Sequence, residues 1–443
     1  MVSQRSRERV KHVLSVSRVK LIYARITLTR YTTLYFFLAL LSCIIFICLQ
    51  TGTYLNNMEG TNAVAAFLVQ SNVTSSTLGM SFLQDGNVVL CKNIPGQPEA
   101  NCTTLVKRVS SHMHVRDTIL SFDERADTPK NPQQCALSLM WLEDVLADAS
   151  REDFGTLLYH IWLLTLSVVT LLNESLPHLF AGLAARALAT AWAGFRVRGN
   201  SNLLETYYHV IDAGKCDGFD PLGTWWNQTT THGILGLVAN IVNLVIVAGL
   251  SYKLFRVYAS QTFSRVGAST EVNHIYKLVL MLSVILQLSG FFTLGQAALW
   301  FSKISFGSIR RLADDFYLYL AELVVIAVLV GPWLTLGWIS VRRESKSLFL
   351  LFSLISLILF GMSTALFTSP LNQFVFKEWS FYATMSVTAY ILFGRNLYSG
   401  SYLQTAVRQG SRTFLAGDRR PGGWGLYARL LFKERRRGFI HRG

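Results

Sequence analysis

The stretch GILGLVANIVNLVIVAGLSY, residues 233–252, decides the fold of this chain. It carries no charge, and a helix of about 20 residues is long enough to cross the hydrocarbon core of a bilayer. Two further uncharged stretches follow it, LVLMLSVILQLSGFFTLGQAALW at 278–300 and LFLLFSLISLILFGMSTALF at 348–367. Because each needs lipid or another helix to cover it, the sequence predicts an all-α polytopic membrane protein whose solvent is a lipid bilayer.

The composition of the whole chain argues against a soluble protein. Of 443 residues, 51% are hydrophobic and 15% are charged, whereas a soluble domain has about 25% charged residues. The net charge of +15 is concentrated at the two ends of the chain and beside apolar segments, where membrane proteins keep cytosolic charge. No zinc-ligand spacing or RNA-binding signature accompanies this charge, so nucleic acid is not an expected partner.

The sequence predicts eight spans with both termini in the cytosol. The basic arm 1–31 has eight Lys or Arg residues against one acid and should stay in the cytosol, so the first span is interpreted as an uncleaved signal anchor and not as a cleaved signal peptide. Two spans are weak, since one contains Arg186, which costs roughly 3 kcal/mol at mid-membrane, and the last is short. Seven spans are therefore the alternative. The predicted spans are 32–51, 154–172, 176–195, 232–253, 276–300, 316–340, 347–368 and 379–394.

The loop 196–231 and the tail favour a crossing by 176–195. If that segment crosses, the sequon Asn227-Gln228-Thr229 lies outside the cytosol, where it can be glycosylated. The tail 395–443, with 11 Lys or Arg residues against two acids, then lies in the cytosol, as the positive-inside rule requires. The tail is predicted to be disordered, and both basic ends of the chain could bind anionic lipid headgroups.

The polar region 52–153 is predicted to be a small α+β domain on the luminal or extracellular side, between the first two spans. It contains glycan acceptors at Asn72 and Asn101, which together with Asn227 are the expected glycosylation sites. Alternating residues on both sides of Asp85-Gly86 predict a β-hairpin, because Asp-Gly favours a type I′ turn. Within the same region, 134–149 has the apolar spacing of a helix.

Four cysteines in polar stretches are expected to cross-link this domain. They are Cys91, Cys102, Cys135 and Cys216, and an even number of cysteines facing an oxidising lumen can form two disulfides. The short separation of Cys91 and Cys102 favours that pair, which leaves Cys135 with Cys216. Three connectivities remain open at this point.

Ionisable residues inside the predicted spans are the candidate functional residues. His160, Arg186 and Glu322 lie in three different spans, and charges at membrane depth are functional candidates by default. As a cluster they could bind an anionic headgroup or relay protons. A structural ion pair between Arg186 and Glu322 is the preferred interpretation, because the sequence does not fix the rotation of each helix.

The sequence contains no recognisable catalytic, metal or cofactor motif. HExxH, GxSxG, a P-loop and GxGxxG are all absent, and His112, His114 and His209 have too few partners for zinc, which needs three or four ligands. No catalytic residue, metal ligand or cofactor is therefore predicted, and the chain is not expected to be an enzyme.

Four stretches of the membrane part resemble a family of multi-pass membrane proteins of basidiomycete fungi. The resemblance implies a fold and a topology but no activity, because that family has none assigned. Those proteins have a longer final helix, whereas here Phe393-Gly394-Arg395-Asn396 is expected to end it. The stretches are NESLPHLFAGLAARALATAWAGFRV at 173–197, YKLFRVYASQTFSRVGAS at 252–269, IYKLVL at 275–280 and GWISVRRE at 337–344.

Two functional classes remain. A luminal domain, a helical bundle and a basic tail are typical of a sensor, receptor-like protein or scaffold in the secretory pathway, with the plasma membrane as the expected location. The alternative is a transporter or channel with a polar pathway near Arg186, Asn240, Gln287 and Glu322. Polar residues such as Asn240 are, however, expected mainly to form hydrogen bonds between helices.

Overall fold

The computed structural model describes residues 23–73, 79–95, 97, 100–107, 129–213, 216, 219–266, 270–306, 308–312, 316–343 and 345–417. The residues 1–22 and 418–443, where binding to anionic lipid is predicted, lie outside this description. In chain order the elements are α1 (Arg30–Gln70), β1 (Met80–Gln84), β2 (Asn87–Cys91), β3 (Cys102–Val106), α2 (Pro132–Asn173), α3 (Leu176–Ala213), α4 (Trp225–Val266), α5 (Thr270–Phe306), a 3₁₀ turn (Ser308–Arg311), α6 (Phe316–Arg343), α7 (Lys346–Thr368), α8 (Pro370–Glu378) and α9 (Ser380–Gly417).

Among the described residues, six helices are long and apolar enough to cross a membrane. They lie within α1, α2, α4, α5, α6 and α7, and they confirm a multi-pass helical architecture. The helices α3 and α9, which contain the two weak predicted spans, do not meet this measure of hydropathy. Both nevertheless run beside the other six, and α3 follows α2 after a turn at Glu174, whose φ of 49° lies in the left-handed region that ends many helices.

The long helices form two bundles of four. In the N-terminal bundle α1 packs on α2 and α4, and α3 packs on the same two helices. In the C-terminal bundle α5 packs on α6 and α9, and α7 packs on the same two. Each bundle is therefore a closed ring in which the first helix contacts the last. Contacts between the bundles run mainly from α5 to α2 and α3.

One end of the N-terminal bundle carries the sheet and both disulfides, and we call it the disulfide end. The predicted boundary at residue 51 falls inside α1, which continues to Gln70, and α2 begins at Pro132, well before its predicted span. Much of the region expected to be a separate domain is therefore extended helix. The disulfides pair Cys91 with Cys102 and Cys135 with Cys216. The core at this end includes Val64, Leu68, Leu139, Trp141, Leu142, Tyr207, Ile211, Trp225 and Trp226.

The predicted β-hairpin is confirmed and contacts both bundles. Strands β1 and β2 pair antiparallel across Asp85-Gly86, where φ is 53° and 80°, as a type I′ turn requires. Phe82 packs against Phe374 of α8, with ring centroids 5.2 Å apart, whereas Val88 lies in the core of the N-terminal bundle. The sheet therefore bridges the two bundles at the disulfide end.

The last helix is longer than predicted. The sequence was expected to break at Gly394, but α9 continues through Arg395 and Asn396 to Gly417. Phe393 and Asn396 are 1% and 0% exposed, so packing on both sides of the glycine offsets its helix penalty of about 1 kcal/mol. The tail predicted to begin at 395 therefore begins inside a helix.

Two tryptophans near the ends of predicted spans, where interfacial anchors are common, are core residues. Trp300 and Trp379 are buried and each stacks on Tyr382, at 5.8 and 5.9 Å between ring centroids. Large aromatic rings contribute most to packing when fully covered, and here the contact between α5 and the start of α9 covers them. Trp338 at the other end of the bundle remains exposed.

Candidate functional site

A network of charged side chains joins the two bundles near the disulfide end. Asp144, Asp148 and Glu152 of α2 are spaced four residues apart and therefore share one face of the helix; we call it the α2 acidic face. From the C-terminal bundle, Lys303 places its Nζ 2.6 Å from Asp144 Oδ2 and also bonds Asp148. Trp379 Nε1 donates to Glu152 Oε1 at 2.8 Å.

A second buried carboxylate organises the N-terminal bundle alone. Asp153 is 0% exposed and forms an ion pair with Arg196 of α3. Its oxygens also accept hydrogen bonds from Gln50 Nε2 at 2.5 Å and Asn57 Nδ2 at 2.6 Å, both on α1. A buried carboxylate is tolerated only when its oxygens are paired in this way, so Asp153 fixes α1, α2 and α3 relative to one another.

Next to these charges lies a cavity between the two bundles, which we call the inter-bundle cavity. About 1020 Å³ of empty space lies among its lining residues, part of it continuous with the open solvent outside. Helices α1 to α4 of the N-terminal bundle form most of the wall, and α5 and α9 contribute the rest. The lining residues are Phe46, Leu49, Gln50, Thr53, Gly155, Thr156, Tyr159, His160, Leu188, Ala189, Trp192, Ala193, Arg196, Asn200, Thr229, His232, Gly233, Gly236, Asn240, Phe292, Phe381, Thr384 and Met385.

The wall of the cavity changes from polar to apolar along its length. On α1 the lining passes from Thr53 and Gln50, near the disulfide end, to Phe46. On α3 it passes from Asn200 and Arg196 to Leu188 and Ala189. The inter-bundle cavity is therefore amphipathic, with its polar part beside the ion pairs and its apolar part deeper in the bundle.

Three polar atoms of the lining residues are buried and have no hydrogen-bond partner in the structure. They are Thr156 Oγ1 on α2, Trp192 Nε1 on α3 and His232 Nδ1 on α4. Leaving a buried polar atom unpaired costs about 1–3 kcal/mol. Three such atoms on three neighbouring helices make this part of the cavity the best-defined candidate for binding.

A glycine keeps one wall of the cavity open. A Cβ added at Gly236 of α4 would meet no atom within 4 Å. The same is true of Gly249 on the same helix, but that residue lies outside the cavity. A Cβ at Gly236 would therefore enter open space at the cavity wall, and Gly249 provides a matched control position.

Of the predicted cluster of His160, Arg186 and Glu322, His160 and Arg186 lie close enough for their charges to interact, whereas Glu322 lies apart from them. His160 lines the cavity and stacks on Phe46, with centroids 4.2 Å apart. Arg186 is buried and donates to the Ser167 hydroxyl at 2.8 Å and to the Gly182 carbonyl at 3.1 Å. Glu322 belongs to α6 in the other bundle, and no ion pair joins these two described residues, so the expected Arg186–Glu322 pair is wrong.

The predicted polar pathway is likewise not assembled around the cavity. Asn240 is part of the lining, and its Nδ2 donates to the Gly236 carbonyl of its own helix at 2.9 Å. Arg186, Gln287 and Glu322 are not part of the lining. The rotation of each helix, which the sequence does not determine, separates these residues.

The loop that leads into α4 is fixed by a carboxylate. Asp220 Oδ1 accepts hydrogen bonds from the Tyr207 hydroxyl at 2.5 Å and from the backbone N–H groups of Leu222 and Gly223 at 3.0 and 3.1 Å. Burial of the phenol, together with the Asp220 carboxylate, raises the pKa of Tyr207 well above its usual range. Tyr207 therefore stays protonated and acts as a donor at any physiological pH.

Sequence reasoning missed the α2 acidic face and Lys303, although a signal was available. Asp144, Asp148 and Glu152 recur every four residues just before a predicted span, which places three carboxylates on one helix face. Their partner could not be identified from sequence, because Lys303 is more than 150 residues away. No group of three or more His, Cys, Asp or Glu residues suited to a metal occurs among the described residues.

The predicted glycan acceptors Asn72, Asn101 and Asn227 are all exposed.

Comparisons with known proteins identify no relative: no protein-family model, curated protein or solved structure matches this chain.

Proposed function

We propose that this chain is an eight-span membrane protein of the secretory route that binds a small molecule in the inter-bundle cavity, in a receptor-like role. Packing supports α3 and α9 as the two additional spans. The guanidinium of Arg186 is paired inside the protein, which removes the main cost of placing α3 in lipid. In this topology the disulfide end lies on the luminal or extracellular side, with the sheet, both disulfides and the glycans on Asn72, Asn101 and Asn227. The membrane that we propose is the plasma membrane.

The position of the cavity is the single observation that carries the binding role. Its wall contains residues of both bundles, such as His232 of α4 and Phe292 of α5, so an occupant contacts both at once. A ligand shifts a conformational equilibrium only when it interacts differently with two states. A ligand held between two bundles can do so by favouring one arrangement of them, which is the basis of a receptor-like response.

One observation favours a transporter as the second candidate. The two bundles have the same ring of contacts, and transporters built from two parallel repeats bind substrate between their halves. Against this, the lining ends at Phe46, His160 and Asn240, and the polar residues expected to continue a pathway lie elsewhere. Binding without passage is therefore the function that we propose. We propose no catalytic role, and the resemblance to the fungal family adds no activity.

Native mass spectrometry of the purified protein tests this function. Wild-type protein extracted from its own membranes should retain a bound small molecule, and Gly249→Leu should retain the same one. Gly236→Leu should lose it, because the new side chain fills the cavity. Equal retention by Gly236→Leu and wild type, or no bound molecule in wild type after incubation with a total membrane lipid extract, would contradict the proposal.

A further inference from the structure

We propose that the ligand of the inter-bundle cavity is an uncharged amphipath, with a hydrocarbon body and a head group that both donates and accepts hydrogen bonds. This inference rests on the proposed function and names the class of its ligand. The head group lies near the disulfide end of the cavity, and the body extends toward the deeper part.

The deeper part of the cavity accounts for the hydrocarbon body. Its lining residues are apolar: Phe46 of α1, Leu188 of α3, Phe292 of α5 and Met385 of α9. They can interact with a hydrocarbon body only through van der Waals contact and burial. Burial of apolar surface contributes about 25 cal/mol per Å². Small-molecule sites are lined mainly by hydrophobic and aromatic side chains with a few polar groups, and the lining here has that composition.

The unpartnered polar atoms define the head group. Trp192 Nε1 can only donate a hydrogen bond, whereas Thr156 Oγ1 can donate or accept, and His232 Nδ1 does either according to its tautomer. A head group that reaches these atoms would therefore accept from the indole and have a second position for the hydroxyl or the imidazole. A hydroxyl or an amide meets both requirements, whereas a hydrocarbon meets neither.

The charges around the cavity exclude a charged head group. Among the described residues that line the cavity, Arg196 is the one Lys or Arg, and none is an Asp or Glu. The Arg196 guanidinium is already paired with Asp153 and lies 3.9 Å from Glu152. The two other titratable groups with a possible charge, His160 and His232, are imidazoles. An anionic head group would lie beside Arg196, whose charge is already neutralised by Asp153. A cationic head group would find no carboxylate in the lining. Each charged head group would therefore lose its hydration without gaining an ion pair.

Photolabelling of the purified, detergent-solubilised protein tests the inference. The probes are analogues of hexadecanol, palmitate and hexadecylamine with the same photoreactive diazirine in the chain, so that only the head group differs. At equal concentration, hexadecanol should label peptides of α2, α3 and α4 about tenfold more than either charged analogue, a difference that corresponds to about 1.4 kcal/mol.

Variants assign the label to the cavity and the head group to its site. Gly236→Leu should abolish the labelling and Gly249→Leu should preserve it. Thr156→Val and His232→Leu should each lower labelling by hexadecanol several-fold, and His232→Asn should restore it, since an amide reproduces a hydrogen-bonding group near Nδ1. Thr165→Val is the control on α2, because Thr165 is exposed and outside the cavity.

The outcomes separate this inference from the proposed function. If labelling is sensitive to Gly236→Leu but strongest with palmitate or hexadecylamine, the cavity binds a ligand and the uncharged head group is wrong. If no probe gives labelling that Gly236→Leu removes, but native mass spectrometry still shows a molecule that wild type retains and Gly236→Leu loses, the ligand class is wrong and the proposed function stands. If native mass spectrometry also shows no such molecule, both are wrong. The comparison of the three probes on wild-type protein decides the head group even where a variant does not fold.

Discussion

The N-terminal and C-terminal bundles share one arrangement of helices but are stabilised by different interactions. The N-terminal bundle extends beyond its predicted spans at the disulfide end, where a disulfide and the buried Asp153 cross-link its helices. The C-terminal bundle relies on stacked aromatic rings and neutral hydrogen bonds, such as Trp333 Nε1 to Ser356 Oγ and Asn396 Nδ2 to Ser289 Oγ, both 2.6 Å. Among the described side chains, no ion pair joins two of its helices.

The difference follows from the solvent that each part requires. Charged side chains and disulfides stabilise a structure where water and an oxidising compartment are within reach, whereas in lipid the contacts between helices come from packing and hydrogen bonds. The comparison therefore predicts large effects for substitutions at the disulfide end and small effects inside the C-terminal bundle.

Removal of the Cys135–Cys216 disulfide should have the largest effect. It closes a loop of 81 residues, for which the chain-entropy account gives about 4.5 kcal/mol. We expect the double variant Cys135→Ser, Cys216→Ser to lose that amount of unfolding free energy in an SDS titration of mixed micelles. The matched variant Cys91→Ser, Cys102→Ser removes a disulfide between cysteines only 11 residues apart, and its unfolding free energy should fall by about 3 kcal/mol or less. Equal losses of unfolding free energy in the two double variants would contradict the expected difference between the disulfides.

Lys303→Met should have the next largest effect, because it removes the buried cation that joins Asp144 and Asp148 of the α2 acidic face to α5, although Asp148 keeps its ion pair with Arg151. Breaking one side of a buried ion pair costs 3–5 kcal/mol, and we expect about 4 kcal/mol in the same titration. Lys377→Met, at an exposed lysine of α8, is the control and should change little. A loss no greater than that of the control would show that the two bundles are not held together by this network.

Arg196→Met should destabilise the N-terminal bundle somewhat less. Asp153 loses its cation but keeps the two amide donors of Gln50 and Asn57, so we expect about 3 kcal/mol, at the low end for a broken buried pair. Arg198 is exposed on the other side of the same helix, and Arg198→Met should leave the thermal midpoint unchanged. Identical midpoints for the two variants would argue against Asp153 as an organising residue.

Ser289→Ala should give the smallest effect, in the C-terminal bundle. It removes the acceptor of the Asn396 side chain, and hydrogen bonds between membrane helices contribute about 0.6 kcal/mol on average. A shift of that size in the SDS titration would sharpen the contrast with the disulfide end. A loss as large as that of Lys303→Met would mean that polar contacts stabilise both bundles equally.

The sequence was sufficient for the elements that depend on local patterns. The Asp85-Gly86 turn gave the correct register of the hairpin, since the turn type fixes the pairing. The break between the predicted spans 154–172 and 176–195 was also placed correctly, since α2 ends at Asn173 and α3 begins at Leu176; Pro177 lies in the first turn of α3, where proline is tolerated. The long apolar runs identified the spanning helices, because length and hydropathy are properties of the segment itself.

The sequence was not sufficient where the result depends on how helices rotate against one another. His160, Arg186 and Glu322 were grouped because all are polar at membrane depth, but α3 and α6 lie in different bundles. The inter-bundle cavity was missed for the same reason, since Gly236 and His232 face it only after the helices are packed. Gly394 was interpreted as a break because the buried environment of Phe393 and Asn396 is not visible from sequence.

The location of the C-terminal end tests most directly whether four helices of each bundle cross the membrane. In sealed microsomes, an epitope tag added after Gly443 should be digested by external protease without detergent. Fragments that contain glycosylated Asn72, Asn101 and Asn227 should remain protected in the same sample, because Asn227 would lie in the cytosol without a glycan if α3 did not cross. Protection of the tag until detergent is added would mean an odd number of crossings and would contradict the account.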